Sequence, residues 1–326
     1  MDLNRTAASG DAGAGAGSAE AGTAAPNRRM NAVLDHIDRH LDAPLDLAVL
    51  AEVAHYSPFH FHRLFAAWLG ESAAAYVTRR RLEVGALSLA SYPALNVTEV
   101  AQQVGFGSPE AFARAFKRHF GLTPSAWQRD TPQRWDALRE ARRLQDRKLD
   151  QAPASDPGQH ASSFNEELVM MKVTVTTVPA TRVAYFRRLG AYGPQIGQFW
   201  AETVRPWIQA QGLESARCYG VGWDDPQLTP PGKCRYDACV ELPQGFAVPG
   251  AVSVQELPGG RYAMAAFEGT GAELAQAWQW LLTDWFPRSG HQLDMRPFFE
   301  RLSAAARPDP QTGAFACELC IPIQRP

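Results

Sequence analysis

The sequence predicts a multidomain chain, an all-α domain with two helix-turn-helix units followed by an α+β domain built as a duplicated antiparallel sheet with helices. Three observations lead there. Residues 45–128 contain one motif twice. From residue 173 onward a second, unrelated motif repeats at one constant offset. Between the two lies Gln151 to Asn165, QAPASDPGQHASSFN, with the composition of a linker. Two separate internal repeats imply two separately built domains. The expected division is a disordered tail over 1–27, a double helix-turn-helix domain over 28–130, a helical extension and linker over 131–168, and the α+β domain over 169–326.

The tail is alanine-, glycine- and serine-rich from Ala7 to Ala25 and offers nothing to build a core. Asn31 to His40 follows as an amphipathic helix with Val33, Leu34, Ile37 and Leu41 on one side. In the first copy of the repeat, Asp46 can cap one helix and Ser57-Pro58 opens the next. In the second copy, Asn96 or Thr98 and Ser108-Pro109 take those places. Serine satisfies orphan N–H groups, and proline at the first helical position loses no hydrogen bond. Past each cap, Phe61, Leu64, Phe65 and Trp68 recur at helical spacing, as do Phe112, Ala115, Phe116 and Phe120, and these are core faces. Ala74 to Leu89 reads as a long connecting helix with Tyr76, Val77, Leu82, Leu87 and Leu89 buried, ending near Pro93. Residues from Gln133 to Leu149 are charged and continue as a helix.

The faces opposite the core carry the chemistry. Phe59, His62, Arg63 and Ala66 share one, and Glu110, Ala113, Arg114 and Lys117 share its counterpart. A helix in the major groove must expose groups that read base edges. Arginine grips guanine with two hydrogen bonds, glutamate accepts from the cytosine amino group, and an aromatic edge touches the thymine methyl. Arg63 and Arg114 occupy the same place in both copies. A bundle whose charged residues are merely solvated is the bland alternative, and the duplicated caps and paired arginines argue against it.

These residues resemble the AraC/XylS family of transcriptional regulators. The matching pattern is LAxxxxxSPxxFxRxFxxxxG and its second copy, GFGSPEAFARAFKRHFGLTPSAW. The resemblance implies that Ser57–Ala66 and Ser108–Lys117 are recognition helices lying in successive major grooves on one face of double-stranded DNA. It implies base contacts from Phe59, His62, Arg63, Glu110, Ala113 and Arg114, with Lys117 on the same face.

The chain has 326 residues, 45% hydrophobic and 20% charged, as in a soluble globular protein, with no apolar run or secretory pattern to suggest a membrane span or export. A cytoplasmic location is expected. Net charge is −2, which is unpromising for a DNA binder. Its distribution is better: 17 basic against 14 acidic residues over Arg28–Asp150, and 14 against 17 from Gln151 onward. Arg79-Arg80-Arg81 and Lys117-Arg118 are clusters able to neutralise phosphates, and Arg142-Arg143 with Arg147-Lys148 read better as a solvated helix face. All five cysteines fall in the second half, an odd count that fits reduced thiols. Cys317 and Cys320 form a CxxC within FACELCIPI, but residues three apart on a strand face opposite sides, so no metal site is expected.

In the second domain, Val173, Val175, Pro179, Arg182, Gly190, Phe199 and Trp207 match Val252, Val254, Pro258, Arg261, Gly269, Trp278 and Phe286. Each half is two strands, a glycine, and a helix, the first helix from about Gly193 to Gln211. Further strands are expected at Tyr219–Trp223, Tyr236–Leu242 and Phe315–Ile323. The groove between the halves is a natural ligand site. Glu318 stands alone in an apolar strand, and a buried carboxylate needs a partner. The residues alone leave three uses for it: a cationic ligand, solvent, or a pair with Arg182 or Arg261. Tyr185, Tyr219, Trp223, Tyr236 and Trp278 are aromatic residues able to attract a cation, and Tyr219, Trp223 and Tyr236 rank ahead of the helix tryptophans Trp200, Trp207, Trp278, Trp280 and Trp285, which suit packing on the sheet.

This half is similar to the GyrI-like effector-binding domains, on MKVTVTTVPATRVAYFRRLGAYG, YGVGWDDP, ELPGGRYAMAAFEG and ELCIPI. The resemblance implies a small-molecule effector and a pocket glutamate near Glu318 that meets lipophilic cations. The expected function is a sequence-specific DNA-binding regulator modulated by such an effector, with no cofactor and no catalytic residues. Two rivals stand beside it. One is a GyrI-like hydrolase or drug-sequestering protein, since some stand-alone relatives hydrolyse with a pocket glutamate and tyrosine. The other is a domain that contacts RNA polymerase and leaves its groove empty.

Overall fold

A computed structural model of the chain describes residues 16–92, 94–131, 171–250, 252–302, 308–309 and 311–324. The expected helical extension over Gln133–Leu149, the linker Gln151–Asn165 and the helix stop at Pro93 lie outside these residues. The first helix, α1, spans Ala16–Arg39. It therefore starts inside the stretch expected to be disordered. Val33, Leu34 and Ile37 are fully buried, and Leu41 packs at their edge.

The repeat folds as expected. α2 (Leu47–Val53) and α3 (Pro58–Leu69) form the first unit, and α5 (Val97–Gln103) and α6 (Pro109–Phe120) the second. Asp46 accepts from the Val49 N–H, Ser57 from His60 and Ser108 from Ala111, while Asn96 and Glu99 close a reciprocal capping box. Phe61 and Phe65, like Phe112 and Phe116, are buried. Leu64 is the exception to the expected core face, at 39% exposed. The second turn is one residue longer than the first, and each holds one left-handed residue at the matching place. Gly105 takes φ 76° in the second unit, where a Cβ would lie 2.2 Å from the Leu41 carbonyl, and His55 takes φ 55° in the first.

The connecting helix α4 (Ala73–Ser91) buries Tyr76, Val77, Leu82 and Leu89, whereas Leu87 is half-exposed on a cleft described below.

The second domain is a single antiparallel sheet of nine strands with helices on one face. Its strands are β1 (Val173–Val178), β2 (Thr181–Leu189), β3 (Cys218–Gly222), β4 (Arg235–Glu241), β5 (Ser253–Leu257), β6 (Gly260–Gly269), β7 (Gln292–Leu293), β8 (Phe298–Leu302) and β9 (Phe315–Gln324). The order is β1-β6-β9-β8-β3-β4-β2-β5, with β7 on the end of β9. The two halves interlock, since β1 pairs with β6 of the second half and β5 with β2 of the first. Each half thus lends its opening strand to the other, and the sheet cannot be divided between them without breaking backbone ladders at both edges. The first helix, α7, comprises Gln195–Phe199 and Arg205–Ala210 with a π-turn at Trp200–Val204 between them. Its counterpart, α8, runs Gly271–Trp280, π-turn Leu281–Trp285, Phe286–Arg288. Such π-turns frequently sit at functional sites.

The helical domain packs on the opposite face of the sheet through charge. Asp224, fully buried, accepts from Arg80 (2.7 Å) and from Arg235 Nη2 (2.8 Å) on one carboxylate oxygen, and from Arg235 N (2.7 Å) and Nε (2.9 Å) on the other. Arg235 also reaches Asp38 of α1, and Arg80 reaches Asp38 and Glu83. A second cluster joins Arg187 to Asp237 through two 2.7 Å hydrogen bonds and to Asp35 of α1 at 2.9 Å, with Tyr185 donating to Asp35 at 2.6 Å. Lys233 meets Glu71 at 2.8 Å. Burial alone would raise the Asp224 carboxyl, but Arg235 and Arg80 overturn this and hold it well below the usual carboxylate range. The expected phosphate-binding role of Arg79-Arg80-Arg81 is therefore corrected. Arg79 and Arg80 are buried against Glu71, Glu83, Asp38 and Asp224, and Arg81 donates to the Leu41 and Ala43 carbonyls.

Candidate functional site

Two surfaces stand out, one on each domain. On α3, Phe59, His62 and Arg63 are exposed, Phe59 at 69%, and the Arg63 guanidinium lies 5.7 Å above the Phe59 ring. Ala66 is half-buried at the end of that face. On α6, Glu110, Arg114 and Lys117 are exposed and Ala113 is half-buried. An aromatic ring, a histidine and an arginine on α3, and an acid, an arginine and a lysine on α6, are of the types able to contact base edges. Both faces point away from their unit's core, because the phenylalanines one helical step away hold the opposite side.

The second surface is a cleft of about 2220 Å³ on the helical side of the sheet, between α7 and α8 and bordered by α4. That exceeds the roughly 300–1,000 Å³ of an ordinary small-molecule pocket. At its floor lies Glu300, partly buried. It accepts from Trp278 Nε1 at 3.0 Å and from the Tyr236 hydroxyl at 3.4 Å, and Trp200 Nε1 donates to that hydroxyl at 3.1 Å. No cation among the described residues pairs with Glu300. Burial, opposed by those two hydrogen bonds, pushes its carboxyl up to about 7. Phe298 and Tyr192 complete the aromatic lining, at 6.1 Å from Trp278 and 6.4 Å from Tyr236. Gly220 makes room for the group. It pairs with Glu300 across the sheet, and a Cβ there would lie 2.2 Å from both the Glu300 carboxylate and the Tyr236 hydroxyl.

The four residues expected to bind ligand separate. Tyr236 lines the cleft. Trp223 borders it, with its indole N–H given to Asp237 at 2.6 Å. Tyr219 and Glu318 lie on the other face of the sheet: Tyr219 packs on Phe299 and donates to Glu241 at 3.0 Å, and Glu318, 42% exposed, pairs with Arg301 at 2.6 Å. Neither Arg182 nor Arg261 is its partner. The alternation along β9 holds, with Cys317 among the residues under the helices and Cys320 on the reverse. The face that meets the cleft is the other one, and the carboxylate in it comes from β8. Trp200 and Trp278, expected only to pack helices, aim their indole N–H groups at Tyr236 and Glu300. The overlooked signal was RPFFERL, where Phe298, Glu300 and Leu302 alternate with Phe299 and Arg301.

A pair of capped helix-turn-helix units joined to an aromatic, carboxylate-floored cleft is the arrangement of a DNA-binding transcription regulator with a small-molecule domain. Sequence comparison agrees. Residues 50–130 match the helix-turn-helix domain family, and residues 171–324 match the GyrI-like small molecule binding domain. The putative transcriptional regulator YosT of the Bacillus subtilis SPbeta prophage is 32% identical over 155 residues, 47% of this chain and 100% of YosT. The right origin-binding protein of Escherichia coli K12 is 28% identical over 306 residues, 89% of this chain and 96% of the relative. The regulatory protein SoxS of Salmonella typhimurium is 30% identical over 96 residues, 29% of this chain and 89% of SoxS. The chain belongs to the AraC-type helix-turn-helix regulators that carry a C-terminal GyrI-like domain. Among the described residues no helix is long and apolar enough to cross a membrane.

Proposed function

We propose that the chain is a sequence-specific regulator in which α3 and α6 read bases, through Phe59, His62, Arg63, Glu110, Arg114 and Lys117, and in which the cleft takes a bulky lipophilic cation over Glu300. One observation carries the effector reading: a partly buried carboxylate on the cleft floor with only neutral donors among the described residues, ringed by aromatic faces. A delocalised cation supplies the missing charge and stacks on the rings, at a small desolvation cost of its own. Equilibrium dialysis with tetraphenylphosphonium, an aromatic cation of this type, is the direct test. Wild type binds, Glu300→Gln loses about tenfold or more, and Glu318→Gln binds like wild type. Equal affinity in wild type and Glu300→Gln overturns the reading. The Tyr236–Glu300 hydrogen bond also supports hydrolysis as a second reading, and time courses with activated esters separate the two, since a cation sensor returns its ligand unchanged.

For the DNA half, selection from random duplexes tests base reading. Arg63→Ala and Arg114→Ala each relax the enriched motif at separate positions, by about 1–3 kcal/mol per lost contact. Uniform weakening across all sequences assigns the arginines to phosphates instead.

A further inference from the structure

The second domain holds the two helix-turn-helix units in different ways. Among the described residues, the ion pairs that join the domains are Asp35 with Arg187, Asp38 with Arg235, Glu71 with Lys233 and Arg80 with Asp224. All four helical-domain partners lie in α1, in the turn after α3, or in the first half of α4, which is the first unit and its approach. Among the described residues, contacts of the second unit with the second domain run through apolar and neutral groups. Leu228 packs on its core, and at the end of α4 the Tyr92 hydroxyl donates to the Leu293 carbonyl. Elsewhere its boundary is the cleft, walled on this side by Leu87, Ala90, Leu95, Val104 and Gln128.

These two kinds of contact respond differently to a ligand. Buried, multiply hydrogen-bonded charges resist displacement, because moving one partner strands the other without solvent. Apolar walls shift at small cost, and a cleft this wide leaves them room. The lattice and the cleft also meet, since Trp223 and Asp224 line the cleft as well. Tyr192 lines the cleft, and its hydroxyl accepts from the Asp224 N–H at 3.2 Å and lies 2.8 Å from the Arg235 carbonyl.

We propose that an effector in the cleft acts on DNA binding through the second helix-turn-helix unit, shifting α5 and α6 relative to α3, while the ion lattice keeps the first unit fixed to the effector domain. This rests on reading the cleft as the effector site, and it adds which half of the DNA-binding domain receives the signal. The effector thereby sets the spacing between two recognition helices, one anchored and one adjustable, and so selects among promoters that share the first half-site. A ligand shifts such an equilibrium only by its differential affinity for the two arrangements, and here the differing contacts are those on the α4–α5 wall.

The test is hydroxyl-radical footprinting of the full chain on DNA enriched by its own selection, with half-sites assigned by Arg63→Ala and Arg114→Ala. Tetraphenylphosphonium at saturation is expected to change second-half occupancy about fivefold or more and leave the first half unaltered. Ala90→Trp fills the cleft from α4 itself and is expected to alter the same half without ligand. In Asp224→Asn, or in the milder Lys233→Gln, the anchor is loosened and the ligand's effect spreads to both halves. Equal change at both halves in the wild type overturns the proposal. So does a folded Ala90→Trp protein with an unchanged second-half footprint. Failure of the cation to bind in dialysis speaks against the cation reading alone, and Ala90→Trp then decides the coupling.

Discussion

Strand β4 carries two kinds of buried polar chemistry on its two sides. Arg235 and Asp237 face the helical domain, and each finds an opposite charge at hydrogen-bond distance. Tyr236, between them, faces the cleft and meets Glu300, for which no cation is supplied. Asp224 is buried and Glu300 partly so, yet these two carboxylates end in opposite states. Asp224 is held ionised by its arginines, while Glu300 is driven toward its neutral form. Paired charge builds the joint between domains, and unpaired charge marks the place reserved for something that arrives later.

The largest effect that can break this comparison is on the paired side. Arg235→Met keeps most of the volume but removes one of the two arginines, Arg235 and Arg80, that Asp224 and Asp38 share. Removing one partner of a buried pair costs about 3–5 kcal/mol, and the urea midpoint of the full chain is expected to fall accordingly. An unchanged midpoint would mean that the lattice contributes nothing net and that the domains are held by apolar contact alone.

On the unpaired side the prediction is a pH dependence. A cation favours ionised Glu300, so below pH 7 its binding must expel a proton. Affinity for tetraphenylphosphonium is expected to fall about tenfold per pH unit below about 7 and to level off above it, with Glu300→Gln flat throughout. The stability of the free protein runs the other way. The folded carboxyl titrates at about 7, above the roughly 4.3 of a free glutamate. Its contribution is complete below pH 4 and is lost as pH rises through 7. Glu300→Gln therefore gains on wild type between pH 5 and 8 in thermal melts.

Much of this was legible in the sequence. Both duplications, the serine-proline caps and the outward faces of α3 and α6 follow from local spacing, because a helix carries its own register. The π-turns in α7 and α8 and the exchange of β1 and β5 between halves do not, since they depend on partners distant in the chain. Glu300 shows the limit well. Alternation says that Phe298 and Glu300 share a side of β8, just as it says that Glu318 and Cys320 share a side of β9, but only the sheet order decides which side becomes the cleft. Gly220 is invisible for the same reason, as its lack of a side chain matters only once Glu300 lies across from it. One local feature of the fold invites a change. His55 holds the left-handed conformation that glycine takes in the second unit, and His55→Gly is expected to raise stability by about 0.5–1 kcal/mol, the relief of the left-handed conformation less the entropy glycine loses on folding. A lower melting temperature would indicate that the His55 side chain, exposed in this fold, holds the turn in some other way.

The smallest expected effect discriminates best between the two glutamates. Glu318 and Glu300 sit on neighbouring strands and both stand amid apolar residues, so in sequence they look alike. Glu318, however, has Arg301 at 2.6 Å and solvent beside it. Exposed pairs of this kind contribute about 0–1 kcal/mol. Glu318→Gln is expected to lower stability by about 0.5 kcal/mol or less, leave tetraphenylphosphonium affinity and its pH profile untouched, and leave Arg301 solvated rather than stranded. Because Glu318 and Glu300 are on opposite sides of one sheet, with Leu319 and Glu300 in register between β9 and β8, a shift in the cation's pH profile on mutating Glu318 could not come from contact. It would require that charge on the lattice face reaches the cleft through the sheet, and the division of β4 and β8 into a paired side and an unpaired side would then no longer separate structure from function.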